Sequence, residues 1–175
     1  MVGSPEVNKV IRRIISPALR EKGFIKVRTR HNWRYLEDRI WYLMIKSVGS
    51  YFSDVAGYPP QSLVAEYGVY FTDFPPNPRP ALRTEPKIDR DGLIIPKEYE
   101  CHYRSSLRII ASQKDLRNSL TSSAEKNRED IWWVSKDGSN IYEAVEDMKQ
   151  SVLGHAFPSM ETVNKEAILE RWSKQ

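Results

Sequence analysis

The sequence predicts an α+β fold: an antiparallel sheet of four to five strands, with an N-terminal helix and two C-terminal helices packed on one face. Three observations predict it. The chain opens on a helical apolar stripe, continues through period-2 segments, and closes on two further helical stripes. The connections between the early strand-like segments are compatible with hairpins, which favours antiparallel pairing. At 175 residues the chain is sized for one domain, read as residues 5–173 with a proline-rich loop insertion at 73–96.

Ser4 is a good N-cap and Pro5 suits the first helical position. Val7, Val10, Ile11, Ile14, Ile15 and Leu19 then form a 3.6-period stripe. Pro17 predicts a kink near Ser16 or a split-off last turn, and Gly23 a C-terminal stop. Residues 24–35 read as one strand. Its odd positions are Ile25, Val27, Thr29, His31, Trp33 and Tyr35; its even positions include Lys26, Arg28, Arg30 and Arg34. That alternation gives one apolar and one basic face. Beyond a turn at Glu37-Asp38, residues 39–47 are apolar on both faces from Ile40 to Ile45, as a central strand requires.

Residues 48–61 read as a loop, with Gly49, Gly57 and Pro59-Pro60. Residues 62–72 read as a strand presenting Leu63, Ala65, Tyr67, Val69 and Phe71 to one side. The insertion holds Pro75, Pro76, Pro78, Pro80, Pro86 and Pro96. Strand character resumes over 99–110, with Cys101, Tyr103, Leu107 and Ile109 on one face and His102, Arg104, Ser106 and Arg108 on the other. Residues 114–127 carry a weak helical pattern, 131–134 a short strand pattern, and Asp137-Gly138 a turn. Asn140 and Glu143 have capping-box spacing before the stripe Ile141, Ala144, Val145, Met148 and Val152, which Gly154 can end. Pro158-Ser159 opens a last helix carrying Met160, Val163, Ala167, Ile168 and Trp172 on one side.

The formal charge is +4, and its distribution says more than its size. Between Lys9 and Arg34 there are nine basic residues against one acid, Glu21, so this segment is +8 and the remainder −4. Such asymmetry marks either an anion-binding face or two halves that neutralise each other on packing. The single cysteine rules out an intramolecular disulfide and fits a reducing, cytoplasmic compartment. No apolar run reaches the length of a signal peptide or a membrane helix, so no membrane association is expected.

The usual catalytic signatures are absent. There is no phosphate-binding glycine loop and no nucleophile elbow. His31, His102 and His155 lack metal-ligand spacing, so neither metal nor cofactor is expected. Cys101-His102 suggests a thiol dyad, but neighbours on a strand point to opposite faces, which makes Cys101 a buried core thiol. The informative pattern is cationic. His102, Arg104 and Arg108 on one strand, with Lys26, Arg28 and Arg30 on another, would build a basic sheet surface if both basic faces lie on one side. The plainer reading is the solvated face of a helix-backed sheet. Trp132-Trp133 places one indole on each face of its strand, and an exposed Trp133 would be a binding anchor.

Val10–Phe24, reading VIRRIISPALREKGF, resembles the opening of the domain-of-unknown-function 4304 family. The resemblance continues through Trp33-Arg34-Tyr35, Cys101-His102-Tyr103-Arg104 with Leu107, Asp130-Ile131-Trp132 and Asp137-Gly138-Ser139-Asn140. It spans roughly residues 6–153 and implies an α+β domain without transferring an activity. The insertion and the last helix are less typical of it. The leading functional expectation is a non-enzymatic module that recognises an anionic partner, an acidic protein or another anionic ligand, through the basic face. The alternatives are nucleic-acid binding through Lys26, Arg28, Arg30, Arg104 and Arg108, and an enzyme on an anionic substrate with His102 as general base and Arg104 and Arg108 holding the anion.

Overall fold

A computed structural model of the chain describes residues 2–74 and 85–174. Pro75, Pro76, Pro78 and Pro80 of the expected insertion lie outside the described residues. The elements are α1 (Ser4–Glu21), β1 (Lys26–Arg28), β2 (His31–Tyr35), β3 (Arg39–Ser47), α2 (Gly49–Ala56) and β4 (Leu63–Phe71), followed by β5 (Lys87–Ile88), β6 (Ile94–Ile95) and β7 (Tyr103–Ser106), then α3 (Ser123–Lys126), α4 (Ile141–Ser151), α5 (Phe157–Thr162) and α6 (Lys165–Ser173). The main sheet has five strands in the order β1-β2-β3-β4-β7, every pair antiparallel. This is the predicted α+β class, with β3 at the centre as its two-sided apolar sequence requires.

In α1 the N-cap is Gly3 rather than Ser4; the Gly3 N–H donates to Glu6 Oε2 at 3.0 Å. The helix runs through Pro17 without splitting. Pro17 is exposed, so the hydrogen bond its ring forbids falls on the solvent side of the helix. Gly23, at φ +85°, closes the helix: its N–H reaches the Arg20 carbonyl at 3.0 Å and the Phe24 N–H reaches that of Leu19 at 3.0 Å.

The single strand expected over 24–35 is a hairpin. β1 and β2 pair Lys26 with Trp33 and Arg28 with His31, around a turn at Thr29-Arg30. Thr29 takes φ +58°, a left-handed value unusual for a β-branched residue. The expected loop at 48–61 contains α2, bounded by Gly49 and Gly57 at positive φ. None of its residues is buried, so it carried no apolar stripe to read. The strand expected over 99–110 shrinks to β7, and the 131–134 strand to one bridge, Leu63 with Trp132.

One side of the sheet packs against α1, α4 and α5. Trp41, Leu43, Ile45, Leu63, Ala65, Tyr67, Val69 and Phe71 meet Ile11, Ile15, Val145, Met148 and Phe157 there. The C-terminal helices differ from expectation in two ways. Asn140 does not cap α4 through its side chain; it accepts from Ser135 N–H and donates to the Trp133 carbonyl, both at 2.8 Å. Gly154 does not end the helix either, because a π-helical turn (Val152–Ala156) carries the chain into α5. Asn164 then starts α6 by accepting from the Ala167 N–H at 3.0 Å. No helix among the described residues is long and apolar enough to cross a membrane.

The other side of the sheet holds a smaller core of Trp33, Ile40, Tyr42, Met44 and Cys101. Its cover is the chain from residue 85 to 101. Trp33 Nε1 donates to the Pro96 carbonyl at 2.8 Å, and the Tyr35 hydroxyl to that of Ile94 at 2.9 Å.

Candidate functional site

Antiparallel pairing fixes which side chains share the second face. One row across the sheet reads Lys26, Trp33, Tyr42, Gly68, Arg104, and the next reads Arg28, His31, Met44, Glu66, Ser106. The residues 85–101 cover the first row from Trp33 to Gly68, while in the second row Arg28, His31 and Ser106 are exposed. The two-residue turn reverses the parity expected for an unbroken strand. Lys26 and Arg28 therefore lie on the same face as His31, Trp33 and Tyr35, not opposite them, and the Arg28 guanidinium sits 5.7 Å from the Trp33 ring centroid.

Of the seven residues picked out in the sequence, Lys26, Arg28 and Arg104 share this face. Lys26 is ion-paired, to Asp89 and, at 2.9 Å, to Asp91. Arg28 lies 3.9 Å from Asp89 with its side chain 52% exposed. Arg104 is exposed and has no ion pair among the described residues. Arg30 points elsewhere: its Nε donates to Asn8 Oδ1 on α1 at 2.7 Å and its Nη2 to Ser47 Oγ at 3.3 Å. Burial pulls its guanidinium below the ordinary arginine range.

His102 does not join Arg104 and Arg108. It is 8% exposed, among the rings of Tyr70, Phe71, Phe74 and Trp172, and its Nδ1 accepts the Phe71 N–H at 2.9 Å. Arg108 lies beyond the end of β7, is exposed, and sits 3.6 Å from Glu129. Trp133 is buried rather than exposed, packed 5.5 Å from the Tyr58 ring in a third cluster with Leu120 and Ile131. Cys101 is buried against Gly68, and desolvation pushes its thiol far up, so it stays protonated and inert.

The residue that sequence reading left out is His31. Its Nδ1 lies 2.6 Å from the Tyr42 hydroxyl, and its ring stacks with those of Trp33 and Tyr42. Burial raises the Tyr42 phenol strongly, so the phenol keeps its proton and can donate it to the neutral imidazole. Although the residue is exposed overall, partial burial of its ring against Trp33 and Tyr42 lowers the His31 pKa; Glu98 opposes that shift, and Lys97, Arg28 and Arg30 add to it. The folded state therefore binds the His31 proton less readily than the unfolded chain. Its stabilising contribution is present above about pH 6.5 and is lost as pH falls through the lower folded value. The thermal midpoint of the wild type should thus fall towards that of His31→Gln as pH drops from about 8 to 5. A gap that stays constant or widens in acid refutes this assignment.

A cleft of about 290 Å³ lies at one end of the same face. Lys46, Val64, Glu66 and Ser106 come from the sheet, Val48 and Phe52 from the chain at α2, and Arg128, Asp130 and Ile131 from the opposite wall. Lys46 Nζ meets Glu66 Oε1 at 3.0 Å. Arg128 grips Asp130 with Nε at 2.9 Å and Nη2 at 2.7 Å, and its guanidinium lies 5.4 Å from the Phe52 centroid. That hydrogen bonding holds the Asp130 carboxyl below the usual carboxylate range. Beside the cleft, Arg108 lines a polar groove of about 460 Å³ with Ser105, Asn127 and Glu129. Among the described residues, no group of three or more His, Cys, Asp or Glu is placed to hold a metal ion.

The family model for the domain of unknown function DUF4304 matches residues 15–162. The chain belongs to that family. The DUF4304 match starts inside α1 and stops at the end of α5, leaving α6 outside it. No curated protein and no solved structure matches the chain.

Proposed function

We propose that this DUF4304 chain is a binding module that recognises an acidic protein surface through the second sheet face. The observation that carries the reading is the placement of Arg28 and Arg104. Both are exposed on one face and sit at opposite edges of the sheet; Arg28 makes only a long ion pair, 3.9 Å to Asp89, and Arg104 makes none among the described residues. Four strand spacings of about 4.8 Å separate those edges, or about 19 Å. No small anion bridges that distance, whereas a folded partner does. Between them the open row also carries Glu66, ion-paired with Lys46 at 3.0 Å, a mixed-charge arrangement that suits a protein surface. Trp33 and Tyr42 are buried on this face and offer no surface for base stacking. His102 packs against aromatic rings and lines neither of the two clefts described, so the clefts do not favour the enzymatic alternative.

The test uses poly-L-glutamate and a single-stranded DNA oligonucleotide as probes at low salt. Arg28→Glu and Arg104→Glu should each weaken polyglutamate binding about tenfold, about 1.4 kcal/mol. Arg12→Glu, an exposed reversal on α1, should leave it nearly unchanged. Equal losses from all three variants would mean that binding follows net charge alone, and the reading fails. DNA bound more tightly than polyglutamate, with a steep salt slope, would favour the nucleic-acid alternative.

A further inference from the structure

We infer that the 290 Å³ cleft between α2, the sheet and the 128–131 segment binds a small zwitterion with an apolar side chain, of the size of a free amino acid. This inference does not rest on the acidic-partner reading: the cleft shares Glu66 and Ser106 with the open row of that face, but neither Arg28 nor Arg104 lines it.

Three features of the lining select the ligand. The first is charge balance. Of the charged groups that line the cleft, two are cations, Lys46 and Arg128, and two are carboxylates, Glu66 and Asp130, each pair in contact; Glu125, 3.7 Å from Arg128, is not in the lining. A ligand of a single sign meets as much repulsion as attraction there, and it leaves a displaced partner unsatisfied. A ligand carrying both an ammonium and a carboxylate can insert between the pairs and satisfy all four groups.

The second feature is spare hydrogen-bonding capacity. Arg128 uses Nε and Nη2 on Asp130, while its Nη1 stands 3.7 Å from Glu125 Oε2, beyond hydrogen-bond reach. Glu125 Oε2 is itself buried without a hydrogen-bond donor in the structure. Ser106 and Ser47 add hydroxyl groups at the lining. The Nη1 edge is thus held only by a long ion pair to Glu125, and a closer ligand carboxylate can take up its hydrogens.

The third feature is the apolar wall of Val48, Phe52, Val64 and Ile131. Val48, Phe52 and Val64 are only half-buried, flanking the third cluster, so part of their apolar surface remains uncovered. The volume is at the lower end for small-molecule sites, which begin at roughly 300 Å³. That space suits one compact side chain beside a pair of charges.

The experiment is calorimetric titration of the full chain with L-leucine and L-phenylalanine, in parallel with their N-acetyl derivatives, which lack the ammonium, and their amides, which lack the carboxylate. The expected result is saturable one-site binding of at least one zwitterion, with both of its derivatives weakened at least about tenfold, the size of one lost charge pairing. Phe52→Ala and Glu66→Gln should each weaken the zwitterion about tenfold. Both positions are partly exposed, so these variants are expected to stay folded, and their circular dichroism and thermal midpoints check it. Asp130→Asn serves as a further variant if one of them fails to fold. No binding by any zwitterion at millimolar concentration overturns the inference. So does equal binding of the singly charged derivatives, or wild-type affinity in well-folded Phe52→Ala and Glu66→Gln. Each of these outcomes leaves the polyglutamate result with Arg28→Glu and Arg104→Glu untouched.

Discussion

Replacing Trp132 with alanine should destabilise the chain by about 4 kcal/mol, within the usual range for a buried tryptophan. Trp132 is fully buried in the larger core, and it exchanges two backbone hydrogen bonds of 2.8 Å with Leu63. Its indole N–H donates to Asp147 Oδ2 at 2.8 Å. That carboxylate also receives the Ile110 N–H at 2.9 Å and the Ala111 N–H at 2.8 Å. Trp132 therefore joins the first residue of β4 through its backbone, and helix α4 and the segment after β7 through its indole and the Asp147 carboxylate. Trp132→Phe should cost much less, since it keeps most of the apolar area and removes one hydrogen bond of about 1 kcal/mol. Urea unfolding checks both. A loss below about 1 kcal/mol in Trp132→Ala would show that this link is not structural.

Gly68→Ala should cost about 3 kcal/mol, the upper end for an overpacked core. A Cβ at this position would stand 2.7 Å from both Cβ and Sγ of Cys101 and 2.8 Å from the Tyr103 carbonyl oxygen. The last of these is backbone. The chain there is pinned by the His102 N–H on the Val69 carbonyl at 2.9 Å. Neither partner can yield without breaking the β4–β7 pairing. Gly68 is required by this close approach and not by its backbone angles, which are not left-handed. In a double-mutant cycle, Cys101→Gly should recover part of the loss, because it clears the side-chain clash but leaves the carbonyl. An unchanged urea midpoint in Gly68→Ala would contradict the packing described.

The elements with a buried stripe are legible in the sequence: α1, β3, β4 and α4 each bury one apolar face, or two, and their residue patterns show it. What escaped reading lacked that imprint. Helix α2 has no fully buried residue; Phe52 and Ala56 are only half-covered. The Asn140 side chain found partners in the preceding loop, a tertiary choice that capping-box spacing cannot anticipate. The run from α4 to α5 continued because a π-helical turn absorbed Gly154. Of the candidate site, Arg28 and Arg104 were visible as cations on strands, and their exposure on a common face followed from pairing. Arg30 and Trp133 were misjudged for the opposite reason. Their surroundings are set by residues distant in sequence, Asn8 and Ser47 for one and Tyr58 for the other. His31 was passed over because it was counted among the apolar positions of a strand that is in fact two.

The length of the Thr29-Arg30 turn carries as much information as the residues around it. With two residues there, Lys26 and Arg28 stand beside His31 and Trp33. One inserted residue would exchange the two faces of β1, sending both cations towards the helices and Val27 towards solvent. Substitutions along β1 thus adjust the chemistry of the face, whereas an insertion or deletion in the turn would erase it while leaving every side chain in the sequence. A DUF4304 sequence keeping these basic residues but altering the turn by one position should not be credited with the same surface.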